Sequence, residues 1–251
     1  MTASDASTMM QDTCTQEDWV ARAALCELLA MSLQLPTREL AAVLVSGEFA
    51  EALDEVGEKV GLDSAVLTQA GALLVGYAGQ DPDELFHVLR AEYTRLFVGA
   101  PEPVVSPYAG VWYARKQGVE PLLFVSVRAM EIERFLRRCG VGQAKGKNEP
   151  LDNIATEFEF LQYLALVNAG VVEAPKEAED VEDGEGTEST TTGEGGEGAK
   201  DPAITQDTFN TFSSHYVADW SEEFADAVAT ATKSTFYQAI AKVLNAVGGT
   251  L

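Results

Sequence analysis

Very little in this chain suits covalent or metal chemistry. Cysteine occurs three times, at Cys14, Cys26 and Cys139, never as a Cys-x-x-Cys pair. An odd count at wide spacing excludes a disulfide framework and a cysteine zinc site. Cys26 falls in an apolar helical pattern without electropositive neighbours, so it reads as core rather than as a nucleophile. Histidine is scarcer still, with only His87 and His215. Glu84 to His87 spells the Glu-x-x-His of di-iron bundles, but that site needs a second copy, and Phe212 stands where its glutamate would precede His215. There is no His-Glu-x-x-His and no Gly-x-Ser-x-Gly, so neither a zinc peptidase nor an α/β-hydrolase is signalled. Long apolar runs are also missing: none approaches the roughly 18 residues of a membrane span. Met1 to Thr13 lacks the basic start and apolar middle of a secretory signal. A cytoplasmic location without stable membrane insertion is the expectation.

Positive charge is in short supply. Lysine and arginine total 17 against 40 acids, a net charge of −23. Such a surface repels phosphate backbones and anionic membranes, which argues against nucleic acid as a partner. It attracts a basic peptide; the same acidity also serves solubility or a salty habitat. One glycine- and lysine-rich loop, Gly140 to Asn148, invites a nucleotide reading. A phosphate loop needs Gly-x-x-x-x-Gly-Lys followed by Ser or Thr, whose amides wrap phosphate and whose hydroxyl reaches magnesium. Counting back from Gly146 the first position is Val141, and Asn148 replaces the hydroxyl. The dinucleotide pattern fails too, because Lys145 sits where its third glycine belongs. No cofactor and no metal is expected, and a nucleotide-binding enzyme is the disfavoured alternative.

What the chain does have is helix punctuation. Hydrophobic residues make up 46% of it. Thr15-Gln16-Glu17-Asp18 reads as a capping box, after which Trp19, Ala23, Cys26, Ala30 and Leu33 share one face. Pro36 stops that helix, and Thr37 caps a second that continues unevenly to about Val60. Asp63 caps a helix through Leu67, Leu74 and Val75. Asp81-Pro82-Asp83-Glu84 starts another, carrying Leu85, Val88, Leu89, Leu96 and Phe97. Pro101, Pro103 and Pro107 break the pattern from Gly99 to Val119. Helix resumes near Leu123 and runs to about Cys139. After a loop, helix returns from Pro150 to about Val167, with Ile154, Phe158, Leu161 and Leu164 as its stripe. After Pro202 two helices close the chain: one with Phe209, Phe212 and Tyr216, a second running from Trp220 through Phe224, Val228, Ala231 and Thr235 to Leu244. An aromatic stripe of this kind reads as core.

No segment shows strand alternation and no repeat is visible. The predicted fold is therefore all-α, a single helical bundle domain over 15–251, preceded by a disordered start at 1–14. Glu173 to Lys200 differs in kind. It holds ten acids against two lysines, no aromatic residue, and much glycine and threonine. Such a segment cannot bury enough surface to order itself and is expected to be a disordered acidic insertion. It carries −8, so the rest of the chain carries −15 and is acidic in its own right.

Three stretches, taken in order, resemble a known family. The first is Glu92-Tyr93-Thr94-Arg95-Leu96-Phe97-Val98-Gly99, followed by Pro101 and Ser106-Pro107-Tyr108. The second is Glu149-Pro150-Leu151-Asp152-Asn153-Ile154-Ala155, leading into Glu157-Phe158-Glu159-Phe160-Leu161. The third comprises His215, Trp220, Phe224, Phe236-Tyr237 and Ala241. Their order and spacing are similar to those of the TorD/DmsD/NarJ family of redox-enzyme maturation chaperones, over roughly Trp19 to Val247 without the insertion. The resemblance implies an all-helical, non-enzymatic protein, monomer or homodimer. It would bind the twin-arginine signal peptide of a molybdopterin-dependent oxidoreductase catalytic subunit and hold it until the cofactor is inserted. The alternative is a chaperone of the NarJ type for a mature or non-exported subunit. This sequence departs from the family pattern at Asn153, where the second motif usually has histidine, and at Asp219, where proline commonly precedes the tryptophan.

The resemblance points to Glu149, Asp152, Asn153, Tyr108, Tyr93 and Phe97 as peptide-binding residues. A receptor for paired guanidiniums needs carboxylates, and helix bundles supply apolar grooves. Glu149 and Asp152 sit where a loop enters a helix, so they either meet arginines or cap that helix. Tyr93, Phe97 and Tyr108 are candidates for the groove wall or ordinary core aromatics, Tyr108 being favoured by its non-helical setting.

Overall fold

The computed structural model describes residues 14–100, 102–120, 126–142, 150–174, 204–248 and 251. The expected disorder of 1–14 and 173–200 falls almost wholly outside these residues, as do Glu149 and most of the loop from Gly140 to Asn148. Among the described residues every regular element is helical, and the only extended pairing is an isolated bridge between Tyr108 and Asn153.

Helix α1 (Gln16–Leu33) runs through the core. Its capping box forms as read: the Asp18 amide donates to Thr15 Oγ1 at 3.2 Å and the Thr15 amide to Asp18 Oδ2 at 2.8 Å. Beyond the expected stripe, Ala21, Leu25 and Leu29 are buried as well, so α1 is apolar most of the way round. It packs chiefly on α8 (Ile154–Asn168), whose Ile154, Phe158, Leu161 and Leu164 are each 0% exposed. Burying each of those four side chains contributes about 1.5–3 kcal/mol relative to exposure.

The segment after Pro36 is two helices, not one. Thr37 caps α2 (Arg38–Ser46), and Gly47 at φ 89° turns the chain into α3 (Glu48–Lys59). A left-handed residue between two helices calls for glycine, and it corrects the continuous helix read from periodicity. Asp63 caps α4 (Ser64–Leu74), and Asp81 caps α5 (Pro82–Tyr93) by accepting from the Asp83 and Glu84 amides, both at 2.9 Å. Val88 lies on the outer face of α5, 61% exposed, and so leaves the expected stripe.

Helix α5 widens into a π turn over Thr94–Val98 before the proline passage. That passage contains a helix missed by the sequence reading, α6 (Ala109–Lys116), because Pro107 forbids helix before it but not after it. Next come α7 (Val127–Arg138), then α8, which begins at Ile154 after a turn rather than at Pro150. Beyond the insertion, α9 (Gln206–Phe212) continues through a second π turn, Ser213–Val217, into α10 (Ala218–Ala231). The chain then breaks at Thr232 to Ser234 before α11 (Thr235–Val247). The expected pair of closing helices is thus divided at a different place.

That late break is built by tertiary contacts. Arg95 forks onto Glu92 at 2.8 and 2.7 Å and donates to the Ala231 carbonyl at 2.8 Å. Glu92 Oε1 also accepts from the Thr232 hydroxyl at 2.9 Å and the Lys233 amide at 2.7 Å. The Arg95 guanidinium, helped by these donors, holds the Glu92 carboxyl down at about 2. Tyr77 completes the turn by accepting from the Phe236 amide at 2.9 Å. The aromatic residues of α9 to α11 are buried as expected, Phe209, Phe212, Phe224 and Phe236 all at 0% exposure.

Candidate functional site

Two of the matched stretches, some forty residues apart, meet at one junction. Ala109 N–H donates to the Asp152 carbonyl and Ile154 N–H to the Pro107 carbonyl, both at 2.9 Å. This short antiparallel bridge launches α6 from one strand and α8 from the other. Asn153 caps α8, its Oδ1 accepting from the Ala155 amide at 2.9 Å. Asp152 therefore does not cap the helix it precedes. Its Oδ2 accepts from the Gly110 amide at 2.9 Å, serving the N-terminus of α6, whose own cap residue Tyr108 makes no side-chain cap. Ser126 caps α7 from the Ala129 amide at 3.2 Å. Three helix starts converge here, and the approach is tight. A Cβ on Gly110 would collide with Ser126 Oγ and stand 3.0 Å from Asp152 Oδ2.

Behind the junction lies a buried ionisable cluster. Asp152 is 3% exposed, and burial pushes its carboxyl above the ordinary range while the Gly110 amide pulls it back. Glu157, one turn into α8, is 1% exposed. Burial raises its carboxyl well above the usual range and Asp152 adds to this, against the opposing pull of Trp220 and Arg128. Its Oε2 accepts from Trp220 Nε1 at 3.1 Å, whereas its Oε1 has no partner among the described residues. Arg128 is also buried, at 3%. It donates to the His215 carbonyl in the second π turn, lies 3.5 Å from Asp219 and from Glu131, and stacks 4.5 Å from the Tyr216 ring centre.

The predicted site residues divide. Tyr108, Asp152 and Asn153 come together at the junction, with Tyr108 half-buried and the other two enclosed. Tyr93 and Phe97 do not form an open groove wall. They are 8% and 5% exposed and pack on each other at 5.1 Å, with Phe97 against Phe224 and Tyr237. Glu149 lies outside the described residues. Gly110, Ser126, Arg128 and Glu157 went unrecognised in the sequence. Helical register was the available signal for two of them: Glu157 shares the Ile154–Phe158–Leu161 face, and Arg128 the Ile132–Phe135 face.

No group of three His, Cys, Asp or Glu among the described residues stands close enough to hold a metal ion. No single helix among them is long and apolar enough to cross a membrane. The junction holds polar groups in place beside a half-buried tyrosine, Tyr108.

Residues 49–187, more than half of the chain, match the family described as nitrate reductase delta subunit. No curated protein matches the chain. The chain belongs to the nitrate reductase delta subunit family, a family of assembly chaperones for molybdoenzymes.

Proposed function

We propose that this protein is a cytoplasmic, non-enzymatic chaperone. It grips the twin-arginine leader of the catalytic subunit of a nitrate-reductase-type molybdoenzyme and holds it until the cofactor is in place. The observation that carries the reading is the bridge between Pro107–Ala109 and Asp152–Ile154, which draws two motif stretches onto one half-open junction beside Tyr108. The acidic charge of the chain supports it, since a leader with paired arginines is drawn to such a surface.

Within this reading Tyr108 touches the peptide. Asp152 and Asn153 are positioning residues that fix the starts of α6 and α8. The family match also supports the second reading, in which a segment of the mature subunit is recognised, because the matched family belongs to nitrate reductase. Titration calorimetry with a leader peptide tests the first. Tyr108→Ala is expected to weaken binding about tenfold, or about 1.4 kcal/mol, with an unchanged melting temperature. Wild-type protein that takes the leaderless subunit but ignores the leader peptide would establish the second reading in its place.

A further inference from the structure

Helices α6 and α7 are a basic island on an acidic chain. They hold Arg115, Lys116, Arg128, Arg134, Arg137 and Arg138 against only Glu131 and Glu133, a net +4 on a chain of −23. Three of these cations lie off the outer face of α7. Arg128 is buried, Lys116 lies 3.6 and 3.5 Å from Asp219 and Glu223, and Arg115 stacks 5.2 Å from the Trp112 ring. The others face out. Val127, Met130, Arg134 and Arg137 recur at three- and four-residue intervals and so form one stripe, with Arg138 beside it. Val127 is 59% and Met130 39% exposed, and the three arginines are exposed as well. Arg137 pairs with Glu133 at 2.6 Å and Arg138 stacks 5.3 Å from the Phe135 ring centre, while Arg134 has no ion-pair partner among the described residues.

We propose that this stripe is a second docking face, which takes an acidic segment from the body of the catalytic subunit, apart from its leader. The proposal rests on the chaperone reading above. Charge complementarity selects the occupant. The acidic remainder of the chain repels an acidic segment and the arginines of the stripe attract it, which favours docking on this face. All four cations of α7 are arginines, whose planar forks bind carboxylates bidentately where lysine offers a point charge. Methionine and arginine are also the side chains enriched at protein interfaces, and Val127 and Met130 supply an apolar anchor at one end. From Val127 to Arg138 the stripe spans about 16 Å. A polypeptide segment fits that length. An extended anionic membrane would bring the acidic flanks within the screening length of about 8 Å, where they repel it.

The test compares wild type with Arg134→Glu/Arg137→Glu, exposed substitutions whose folding is checked by circular dichroism and melting. Each protein is titrated with the leaderless catalytic subunit, with the isolated leader peptide, and with phosphatidylserine vesicles. The wild type is expected to bind the leaderless subunit, more weakly as salt is raised. The double variant is expected to lose at least tenfold in that affinity while its leader affinity stays unchanged. Equal binding of the leaderless subunit by both proteins overturns the proposal. So does its failure to bind while the leader binds, or retention on the vesicles instead. Stripe-dependent binding of the leaderless subunit without any leader binding would keep the stripe and remove the leader reading.

Discussion

Gly110→Ala isolates the junction with a single methyl group. The added Cβ would collide with Ser126 Oγ and stand 2.5 Å from Ser126 Cβ and 3.0 Å from Asp152 Oδ2. Real Cβ atoms do not approach other atoms so closely, and Ser126 is held by its cap bond to Ala129, so either α7 or the bridge must shift. Overpacking of this kind costs about 1–3 kcal/mol. Displacing the Asp152 carboxylate from the Gly110 amide adds the loss of a buried hydrogen bond, about 1–3 kcal/mol when a partner is left unpaired. The expected total is about 2–6 kcal/mol. Ser126→Gly alone removes the obstacle and costs only about a few tenths of a kcal/mol, because glycine is itself a tolerable cap. The double variant Gly110→Ala/Ser126→Gly should then recover much of the loss, giving a coupling energy of about 1 kcal/mol or more. Urea denaturation of the four proteins in the cycle measures it. Gly110→Ala within about 0.5 kcal/mol of wild type, the usual span of an inconsequential surface change, would show that the junction is loose. Strict additivity would show that Ser126 is not what opposes the methyl group.

Three further outcomes are expected. Glu157 has its carboxyl raised by burial, so the native state keeps a proton that the unfolded chain releases; wild-type stability should fall by up to about 1.4 kcal/mol per pH unit above the ordinary glutamate range of about 4.5, a slope that Glu157→Gln removes in paired melts from pH 5 to 8. Glu92 has the opposite sign: its carboxyl is held down at about 2, so its contribution is present above the usual 4.5 and is lost as pH falls toward 2. Glu92→Gln should cost about 1.5–3 kcal/mol at neutral pH and flatten the acid limb of the stability curve, as followed by circular dichroism. Asp152→Ala should lower stability by about 1–2 kcal/mol through the lost cap on α6, with leader affinity falling only as far as the bridge loosens; full stability with tenfold weaker binding would instead put Asp152 in direct contact with the arginines.

Local chemistry made most of the helix starts readable. Thr15, Thr37, Asp63 and Asp81 each cap within two or three residues of themselves, so their hydrogen bonds are written in adjacent positions. The all-α class and the buried aromatic faces of α8 to α11 follow from periodicity, which needs no knowledge of partners. Several of the errors share a cause. The break at Thr232 is made by Glu92 and Arg95, more than 130 residues away in sequence, and no local signal announces it. Asp152 looks like a cap for the helix that follows it, yet its carboxylate serves α6, 42 residues earlier. Glu157 and Arg128 look like surface charges until packing encloses them. A side chain and the backbone next to it interact whatever the fold, so that much belongs to the sequence. Which distant amide a carboxylate meets depends on how the helices pack, and only the tertiary structure decides it.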